Sequence, residues 1–468
     1  AQTEGNYNFS SGSRGKGNLS SEANPYFLFP QIYNFRYNIF SSEWPVANRV
    51  IELYLQKKSE NGGWERQING ISNNEKAVLL LEKRTFKELL VDMELRNLQN
   101  NIVGQEASRL FARAEINMGV EAFRDSLYSL LKRNTFLNIK FENMLDTLGE
   151  ISRTDIRSLL GEWEKTTPLP FYSLGEPTLT KITNKGGEEF FVLKMLISNN
   201  SDYDGIIHMD IRKDGWWYQP LEDPRAKTKI EMPAHTSKEF VSVWEDQIRN
   251  VEINTMVSGN LPNIISQDIN NVKQERNKIV KDSIYILPES SFDLPGEIIV
   301  DNEDSTLFIL SAPPIVGLLP KWLDEVEETP FKYSGISWWR PPLQWTATTN
   351  DRYYGKYIRS AFVIKSGDGS QTATWKVPVP EVGQYDLYYH VFKDDELRWN
   401  NNLQGEYHFK VKYGSEVEDA YVNLRKANEG WEQLGSYYFD SDTVRVVLTD
   451  ECKLRSVTAD AVKIVKRY

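Results

Sequence analysis

Two stretches in the last third of the chain combine aromatic rings with arginine and asparagine side chains. Aromatic rings stack on the apolar C–H faces of sugars, and nearby polar groups fix the hydroxyls, so these residue types together are typical of a glycan site. Exposed rings of this kind also suit a partner protein. The candidate glycan- or partner-binding residues are Trp338, Trp339, Arg340, Arg352, Tyr353, Trp399 and Asn401.

Motifs for catalysis or metal binding are missing from the sequence. His208 and Asp210 lie two residues apart on a predicted strand and face the same side, which suits a metal or catalytic pair, but no third ligand has useful spacing. The sequence contains no His-Glu-x-x-His, no Gly-x-Ser-x-Gly and no calcium loop of the Asp-x-Asp type. We therefore predict no catalytic residue, no metal ligand and no cofactor, and favour a non-enzymatic protein without excluding an enzyme.

Other residues allow a functional and a structural interpretation. Asp301-Asn-Glu-Asp304 could hold calcium, but a solvated turn is favoured. Trp216-Trp217-Tyr218 could form a binding platform, although such clusters more often form the rim of a β-sandwich core. The acidic residues of the helical region, Glu75 among them, are interpreted as solvated helix faces with charge pairs four residues apart.

Composition limits the class of protein. The chain has 468 residues, a net charge of −11 and one cysteine, Cys452. This length favours about three domains. The negative charge argues against a nucleic-acid partner, and the lone cysteine excludes an internal disulfide framework. No run approaches the roughly 18 apolar residues of a membrane span, so any membrane attachment is expected through a complex.

The first two thirds of the chain predict a helical domain followed by strands. Residues 1–25 are polar and are expected to be a flexible segment. Apolar residues at helical spacing, a capping box at Ser72–Glu75 and a further cap at Ser152–Asp155 predict an α-helical domain over 26–166. Beyond the Thr167-Pro-Leu-Pro170 linker, alternating strands predict a β-sandwich of immunoglobulin-like size over 167–290.

The last domain, residues 291–468, reads as short strands separated by glycine turns, which predicts an antiparallel β-sandwich. Here a family resemblance is visible in ordered pieces: Ile298-Ile-Val-Asp-Asn302, Tyr353-Tyr-Gly355, Ala373-Thr-Trp375 with Pro378 and Pro380, Gly383-Gln-Tyr385, Gly430-Trp-Glu-Gln-Leu-Gly435 and Asp460-Ala461-Val462. Together they resemble the golvesin C-terminal domain, also called the xanthan-lyase carbohydrate-binding-like domain, over about residues 294–468. The resemblance implies a non-catalytic module of bacterial exported proteins, with Trp345, Trp375, Tyr385 and Trp431 in the framework core.

A second resemblance covers about residues 40–290. Ser42-Glu-Trp-Pro45, Asn74-Glu-Lys-Ala77, Arg84-Thr-Phe-Lys-Glu-Leu-Leu90 and Glu252–Pro262 are similar to the region after the peptidase domain in Bacteroidota fusions of a permease with a zinc aminopeptidase. The zinc motif of that family is absent from this sequence. The resemblance therefore implies a non-catalytic tail of such a protein, or a relative without the enzyme.

These observations predict an α+β multidomain protein with an N-terminal α-helical domain, a middle immunoglobulin-like β-sandwich and a C-terminal golvesin-like β-sandwich. The favoured function is a non-catalytic, exported bacterial envelope protein, in the periplasm or at the cell surface, whose last domain binds glycan or a cell-envelope protein. Two alternatives stay open. One is an auxiliary part of a zinc-aminopeptidase-like enzyme, and the other is a structural subunit of an envelope complex.

Overall fold

The computed structural model describes residues 38–42, 44, 46–55, 63–157, 165–183, 186–213, 219–276, 280–289, 292, 296–311, 331–337, 340–393 and 405–467. These residues form two compact units. The first unit contains those up to 55, from 73 to 259 and from 263 to 289, and the second contains those from 63 to 72, from 260 to 262 and from 292 onward. A helical N-terminal region and several strand-rich sheets make this an α+β multidomain protein, as the sequence predicts.

The helical region buries one face of each main helix in a common core. Leu110, Phe111, Phe123, Phe141 and Leu145 are all fully buried there, as expected where apolar residues recur every three or four positions. Strands β1 (Asn38–Phe40) and β2 (Asn138–Lys140) pair in parallel beside the helices. The helices are α1 (Ala47–Leu55), α2 (Gly63–Asn69), α3 (Asn73–Lys83), α4 (Phe86–Val91), α5 (Gln99–Met118), α6 (Val120–Arg133) and α7 (Phe141–Ser152), of which α2 belongs to the second unit.

Two local expectations about the helices are wrong. Glu75 does not lie on a solvated face: it is 1% exposed, and its carboxylate accepts a hydrogen bond from the Asn263 backbone N–H at 2.8 Å. Ser152 ends α7 instead of starting a helix, because Arg153 adopts the left-handed conformation with φ 53°. The remainder of the helix predicted there, residues 158–164, lies outside the described residues.

A capping box forms at the start of α4. The Thr85 hydroxyl accepts from the Glu88 N–H at 3.2 Å, and the Glu88 carboxylate accepts from the Thr85 N–H at 2.9 Å. This reciprocal pair satisfies two of the N–H groups that every helix start leaves without an internal partner.

Two sheets follow the helices in the first unit. One has the strand order β12-β4-β5-β9-β13 with β3 paired to β5, and the other has the order β11-β10-β6-β7 with β8 paired to β6. The alternate residues Leu193, Met195 and Ile197 of β5 share one buried cluster with Ile207 and Met209 of β6. The strands are β3 (Tyr172–Leu174), β4 (Thr178–Thr183), β5 (Glu189–Asn199), β6 (Gly205–Lys213), β7 (Gln219–Pro220), β8 (Lys227–Met232), β9 (Thr236–Trp244), β10 (Ile248–Asn254), β11 (Ile264–Asp268), β12 (Val272–Arg276) and β13 (Ser283–Pro288).

Helix α5 is fixed to strand β8 through buried polar groups. Glu115 is 2% exposed, accepts from the Tyr54 hydroxyl at 2.9 Å and forms an ion pair with Lys229 of β8. Nearby, Arg113 pairs with Glu231 at 3.0 Å on the surface. A buried carboxylate is tolerated when hydrogen bonds and an opposite charge surround it, so Glu115 joins the helices to the sheets of this unit.

The second unit contains three sheets around an aromatic core. Their strand orders are β14-β25-β19-β22, β15-β18-β23-β20-β21 and β16-β17-β24. The core contains Trp375, Tyr385, Tyr389, Phe409 and Phe439, each at most 1% exposed. The strands are β14 (Glu297–Val300), β15 (Phe308–Leu310), β16 (Thr346–Thr349), β17 (Ser360–Lys365), β18 (Thr372–Pro378), β19 (Gly383–Val391), β20 (Glu406–Tyr413), β21 (Glu416–Asn423), β22 (Gly430–Phe439), β23 (Thr443–Thr449), β24 (Ser456–Ala459) and β25 (Val462–Lys466).

Candidate functional site

Three of the seven predicted binding residues lie in described parts of the chain, at two places. Arg340 is exposed, between Ser337 and Pro341. Arg352 and Tyr353 lie together in the turn between β16 and β17. The remaining four, together with the Trp216-Trp217-Tyr218 cluster, lie outside the described residues: Trp338, Trp339, Trp399 and Asn401.

Arg352 and Tyr353 both contact Phe392, the residue after the end of β19. The Tyr353 ring lies 4.7 Å from the Phe392 ring, and the Arg352 guanidinium carbon lies 4.7 Å above it. Arg352 also pairs with Glu429 and donates to the Lys393 carbonyl at 2.6 Å. Tyr353 is only 6% exposed. Arg352 is therefore partly exposed and held in place by Glu429, Lys393 and Phe392, whereas Tyr353 is buried beside it.

The neighbouring residue, Tyr354, belongs to a cluster of three partly exposed rings. Its ring centroid lies 5.0 Å from that of Trp431 and 5.8 Å from that of His390, and the Trp431 and His390 centroids are 5.2 Å apart. Strand register explains the pairing, since His390 of β19 lies directly opposite Trp431 of β22. We call Tyr354, His390 and Trp431 the aromatic cluster.

The buried carboxylate of Asp460 holds two members of the aromatic cluster in place. Asp460, in the turn between β24 and β25, is 0% exposed and lies 2.8 Å from His390 Nδ1. Its carboxylate also accepts the Tyr354 backbone N–H at 3.1 Å. Burial raises the pKa of the Asp460 carboxyl, and the His390 imidazole and the Tyr354 N–H oppose this effect. Asp460 thereby sets the position of two of the three rings.

A lysine covers part of the third ring. Lys463 of β25 places its ammonium 4.8 Å from the Trp431 ring centroid and 5.3 Å from that of Tyr388, and it pairs with Glu297 at 3.0 Å. Such a cation over an indole face is electrostatically favourable. Trp431 is therefore oriented by Lys463 and His390 without being buried.

The framework prediction is right for two residues and wrong for one. Trp375 and Tyr385 are 0% and 1% exposed, as a core requires. Trp345 is partly buried against the same core. Trp431 is partly exposed and contacts the aromatic cluster instead. It resembles a core tryptophan in the sequence because its own strand, β22, also carries the buried Tyr437 and Phe439.

Sequence reasoning missed His390, Trp431 and Asp460 as site residues. One signal was available: Tyr385, Leu387, Tyr389 and Val391 of β19 alternate inward, so His390 must face the other side of the strand. The contact of His390 with Asp460, 70 positions later, depends on strand pairing that local patterns do not reveal.

The acidic turn Asp301–Asp304 is more buried and more extensively hydrogen-bonded than the predicted solvated turn. Asn302 is 3% exposed, and Glu303 accepts hydrogen bonds from Lys332, Tyr333 and Ser360. Burial, followed by the charge of Asp460, raises the pKa of Asp301 well above its usual range. Among the residues that the structure describes, no three histidine, cysteine, aspartate or glutamate side chains form a metal-binding group.

The first unit also has a cleft, of about 560 Å³, between α5 and the loops of the sheets. Both arginines that line it have carboxylate partners: Arg109 pairs with Glu106 at 2.9 Å, and Arg113 pairs with Glu231 at 3.0 Å. Asp210, from the predicted His208–Asp210 pair, forms an ion pair with Arg212 at 3.3 Å. These contacts favour a structural role for the residues concerned.

Residues 341–466 match the family model of the Golvesin C-terminal domain. This confirms the resemblance seen in the sequence over that range, and the aromatic cluster and Asp460 lie within it. The resemblance of residues 40–290 to the aminopeptidase fusions stays a prediction. No curated protein matches the chain in sequence.

Solved structures resemble the chain only distantly. A Bacteroides uniformis β-glucuronidase shares 11% identity over 67% of this chain and 32% of its own, with a TM-score of 0.18. Bacteroides uniformis β-glucuronidase 2, covalently bound to cyclophellitol-6-carboxylate aziridine, shares 9% identity over 74% of this chain and 38% of its own, with a TM-score of 0.17. The chain thus spans about a third of the length of these glycosidases. No helix in the described ranges is long and apolar enough to cross a membrane.

Proposed function

We propose that the protein binds glycan without transforming it, through the aromatic cluster of its C-terminal β domain. The observation that carries this proposal is the set of three partly exposed rings, Tyr354, His390 and Trp431, within about 6 Å of one another. Sugars present flat C–H faces and a rim of hydroxyls, and a cluster of rings held in place by polar groups complements both.

The polar groups around the cluster suit hydroxyl recognition. Arg352 reaches the edge of the same region, where it pairs with Glu429 and donates to the Lys393 carbonyl. Asp460 fixes the His390 ring through one nitrogen, Nδ1, which determines the orientation in which the imidazole meets a ligand. Because these contacts exist before any ligand arrives, little side-chain entropy is lost on binding.

The other predicted binding residues extend this proposal. Trp399 and Asn401 follow Lys393, the residue that Arg352 contacts, by a few positions in the sequence. We include them, together with Trp338, Trp339 and Arg340, as proposed ligand contacts. We assign Tyr353, which is buried beside Arg352, a supporting role.

The finer architecture belongs to the same proposal. A buried cluster shared by the strands of two sheets supports an immunoglobulin-like β-sandwich within residues 167–290. The Golvesin C-terminal domain match supports a golvesin-like β-sandwich within 291–468. The domain boundaries at 25, 166 and 290 remain those predicted from the sequence.

The cellular setting is proposed from the domain type. Golvesin-like modules are expected on bacterial exported proteins, so we propose an extracytoplasmic location, in the periplasm or at the cell surface. There the glycan would be cell-wall or surface polysaccharide. Nucleic acid is not a proposed partner, because the chain carries a net charge of −11.

Retention of the full chain on polysaccharide tests the proposal. The chain would be incubated with purified cell-wall material and with a panel of immobilised soluble glycans. We expect retention that Trp431→Ala lowers about tenfold, the effect of losing one stacked ring. Tyr438→Ala is the matched control, since Tyr438 is a 60% exposed ring on the same strand outside the cluster.

Variants of the predicted loop residues refine the result. Trp399→Ala and Trp338→Ala are each expected to weaken retention further when combined with Trp431→Ala. Absence of retention on every material, or equal losses from Trp431→Ala and Tyr438→Ala, would contradict glycan binding at this cluster.

A further inference from the structure

Strand β13 forms one edge of the six-stranded sheet in the first unit and is apolar on both of its faces. Its consecutive residues Ile284, Tyr285, Ile286 and Leu287 are 55%, 52%, 71% and 40% exposed. One side of the β13 backbone pairs with β9 along all six residues. Within the described part of the chain, no strand pairs with the other side of β13. Its backbone N–H and C=O groups and its side chains are thus available to another strand.

The opposite edge of the same sheet is protected by polar and charged side chains. Strand β12 lies there, and its exposed residues are Lys273, Gln274 and Glu275. Charged side chains on an edge strand discourage pairing with a second chain. The chain therefore protects one edge of this sheet and leaves the other apolar, and an exposed apolar edge strand is a template for intermolecular pairing.

We propose that β13 pairs with β13 of a second copy of this chain, antiparallel about a two-fold axis perpendicular to the sheet. Such an axis keeps each face of the sheet continuous, so every residue lies opposite a residue of the same face. Centring the axis on Ile286 places Ile286 opposite its own copy, Tyr285 opposite Leu287 and Ile284 opposite Pro288. In this register all four exposed apolar side chains meet an apolar partner, and this self-complementarity identifies a second copy as the occupant.

Contacts at both ends hold β13 in an extended form ready for pairing. Before the strand, the Asp282 carboxylate accepts the Val243 N–H at 2.7 Å and pairs with Arg225. After it, the Glu289 carboxylate accepts from Asn200 at 2.9 Å and lies 2.8 Å from His235 Nδ1. A strand already fixed in this way loses little conformational entropy when a second strand adds to it.

The size of the surface determines the expected affinity. Pairing of one short strand buries on the order of 400 Å² per copy, about half of the roughly 800 Å² that each partner contributes to a standard stable interface. We therefore expect a reversible dimer with a dissociation constant in the micromolar range. Its population then follows protein concentration and depends on the side chains of β13.

Sedimentation of the full chain over a range of concentrations measures this equilibrium. We expect Ile286→Lys to raise the dimer dissociation constant at least about tenfold, because the Ile286–Ile286 contact is lost and two like charges lie directly opposite each other at the axis. Leu137→Lys is the matched control: Leu137 is 55% exposed in the helical region of the same unit and is not part of β13, and its substitution should leave the dimer unchanged.

Disulfide trapping tests the register of the β13 pair without introducing the charge of Ile286→Lys. In a Cys452→Ser background, mild oxidation should link Ile286→Cys into a dimer, because directly opposite Cα atoms lie about 4.5–5.5 Å apart, within disulfide reach. Leu137→Cys should stay unlinked. A wild-type chain that is monomeric at about 100 µM would overturn the proposal, as would linkage of Leu137→Cys equal to that of Ile286→Cys.

Discussion

The protein exposes two apolar surfaces of different chemistry, one in each unit. Strand β13 carries aliphatic side chains and one tyrosine, with its backbone edge open. The aromatic cluster carries Tyr354, His390 and Trp431 next to the buried Asp460. Strands β19 and β22, which carry His390 and Trp431, pair with each other along their length. Aliphatic groups beside an open edge suit another strand, and rings beside fixed polar groups suit a sugar. The exposed fractions of their side chains alone would not show that β13 and the aromatic cluster suit different partners.

The largest predicted effect is the difference in unfolding free energy between substituting the buried Trp375 and the partly exposed Trp431. Trp375 is 0% exposed, lies 5.3 Å from Phe308 and donates its indole N–H to the Asp460 carbonyl at 3.2 Å. Trp375→Ala should lower the free energy of unfolding by about 3–5 kcal/mol, whereas Trp431→Ala should cost less than about 1 kcal/mol.

Urea unfolding of the full chain, followed by fluorescence, measures both changes. The loss for Trp375→Ala should be confined to the transition of the second unit if the two units unfold separately. Equal losses for the two variants would place Trp431 in the core and remove the basis for the aromatic cluster.

An intermediate effect is expected at the carboxylate below the cluster. Burial raises the pKa of Asp460, so the native state favours the neutral form of this group. Ionisation therefore costs folding free energy, a cost that begins as pH rises through the ordinary value of 3.8 and is complete above the raised pKa. Asp460→Asn removes the cost, and wild type should lose stability relative to this variant as pH rises.

Unfolding free energies of wild type and Asp460→Asn from about pH 3 to about pH 7 test this sign. The difference should move steadily in favour of the variant as pH rises across this range. A difference that is constant with pH, or that grows in favour of wild type, would show that Asp460 ionises at least as readily in the folded state as in the unfolded chain.

The smallest effect concerns the end of β13. The His235 ring nitrogens lie 2.8 Å from the carboxylates of Glu289 and Asp202, and the hydrogen bond to Glu289, followed by that to Asp202, raises the pKa of His235. The protonated ring therefore contributes stability that is fully present below its ordinary pKa of 6.5 and is lost as pH rises through the raised value.

Melting temperatures of wild type and His235→Gln between about pH 5 and about pH 9 measure this contribution. Because the group is exposed, the shift should be small. The wild-type advantage should shrink with increasing pH, and an advantage that grows with pH would contradict the paired imidazolium.

The sequence predicts the parts of the fold that depend on local pattern. The apolar runs of β5, the alternation of β19 and the ordered glycine and tryptophan pieces of the C-terminal domain indicate the strands and the family resemblance. It wrongly predicts a helix start at Ser152, because Ser-x-x-Asp is a pattern that often precedes a helix, whereas here Ser152 is the last residue of α7.

The site is predictable only in part, because it depends on register. Arg352 is recognisable beside tyrosines in the sequence, but His390, Trp431 and Asp460 come together only through the pairing of β19 with β22 and β25. Strand β13 also gives no alternating signal, since four consecutive apolar residues precede a proline. Its exposed edge becomes visible only when the strand order is known.

The central claim is that the two surfaces act independently on different partners. The most direct test measures glycan retention and dimer formation side by side for wild type, Trp431→Ala and Ile286→Lys, all as full chains. We predict that Trp431→Ala loses retention about tenfold and keeps the dimer, and that Ile286→Lys loses the dimer and keeps retention at equal monomer concentration. Loss of both properties in either variant, or of neither property in both, would contradict the account.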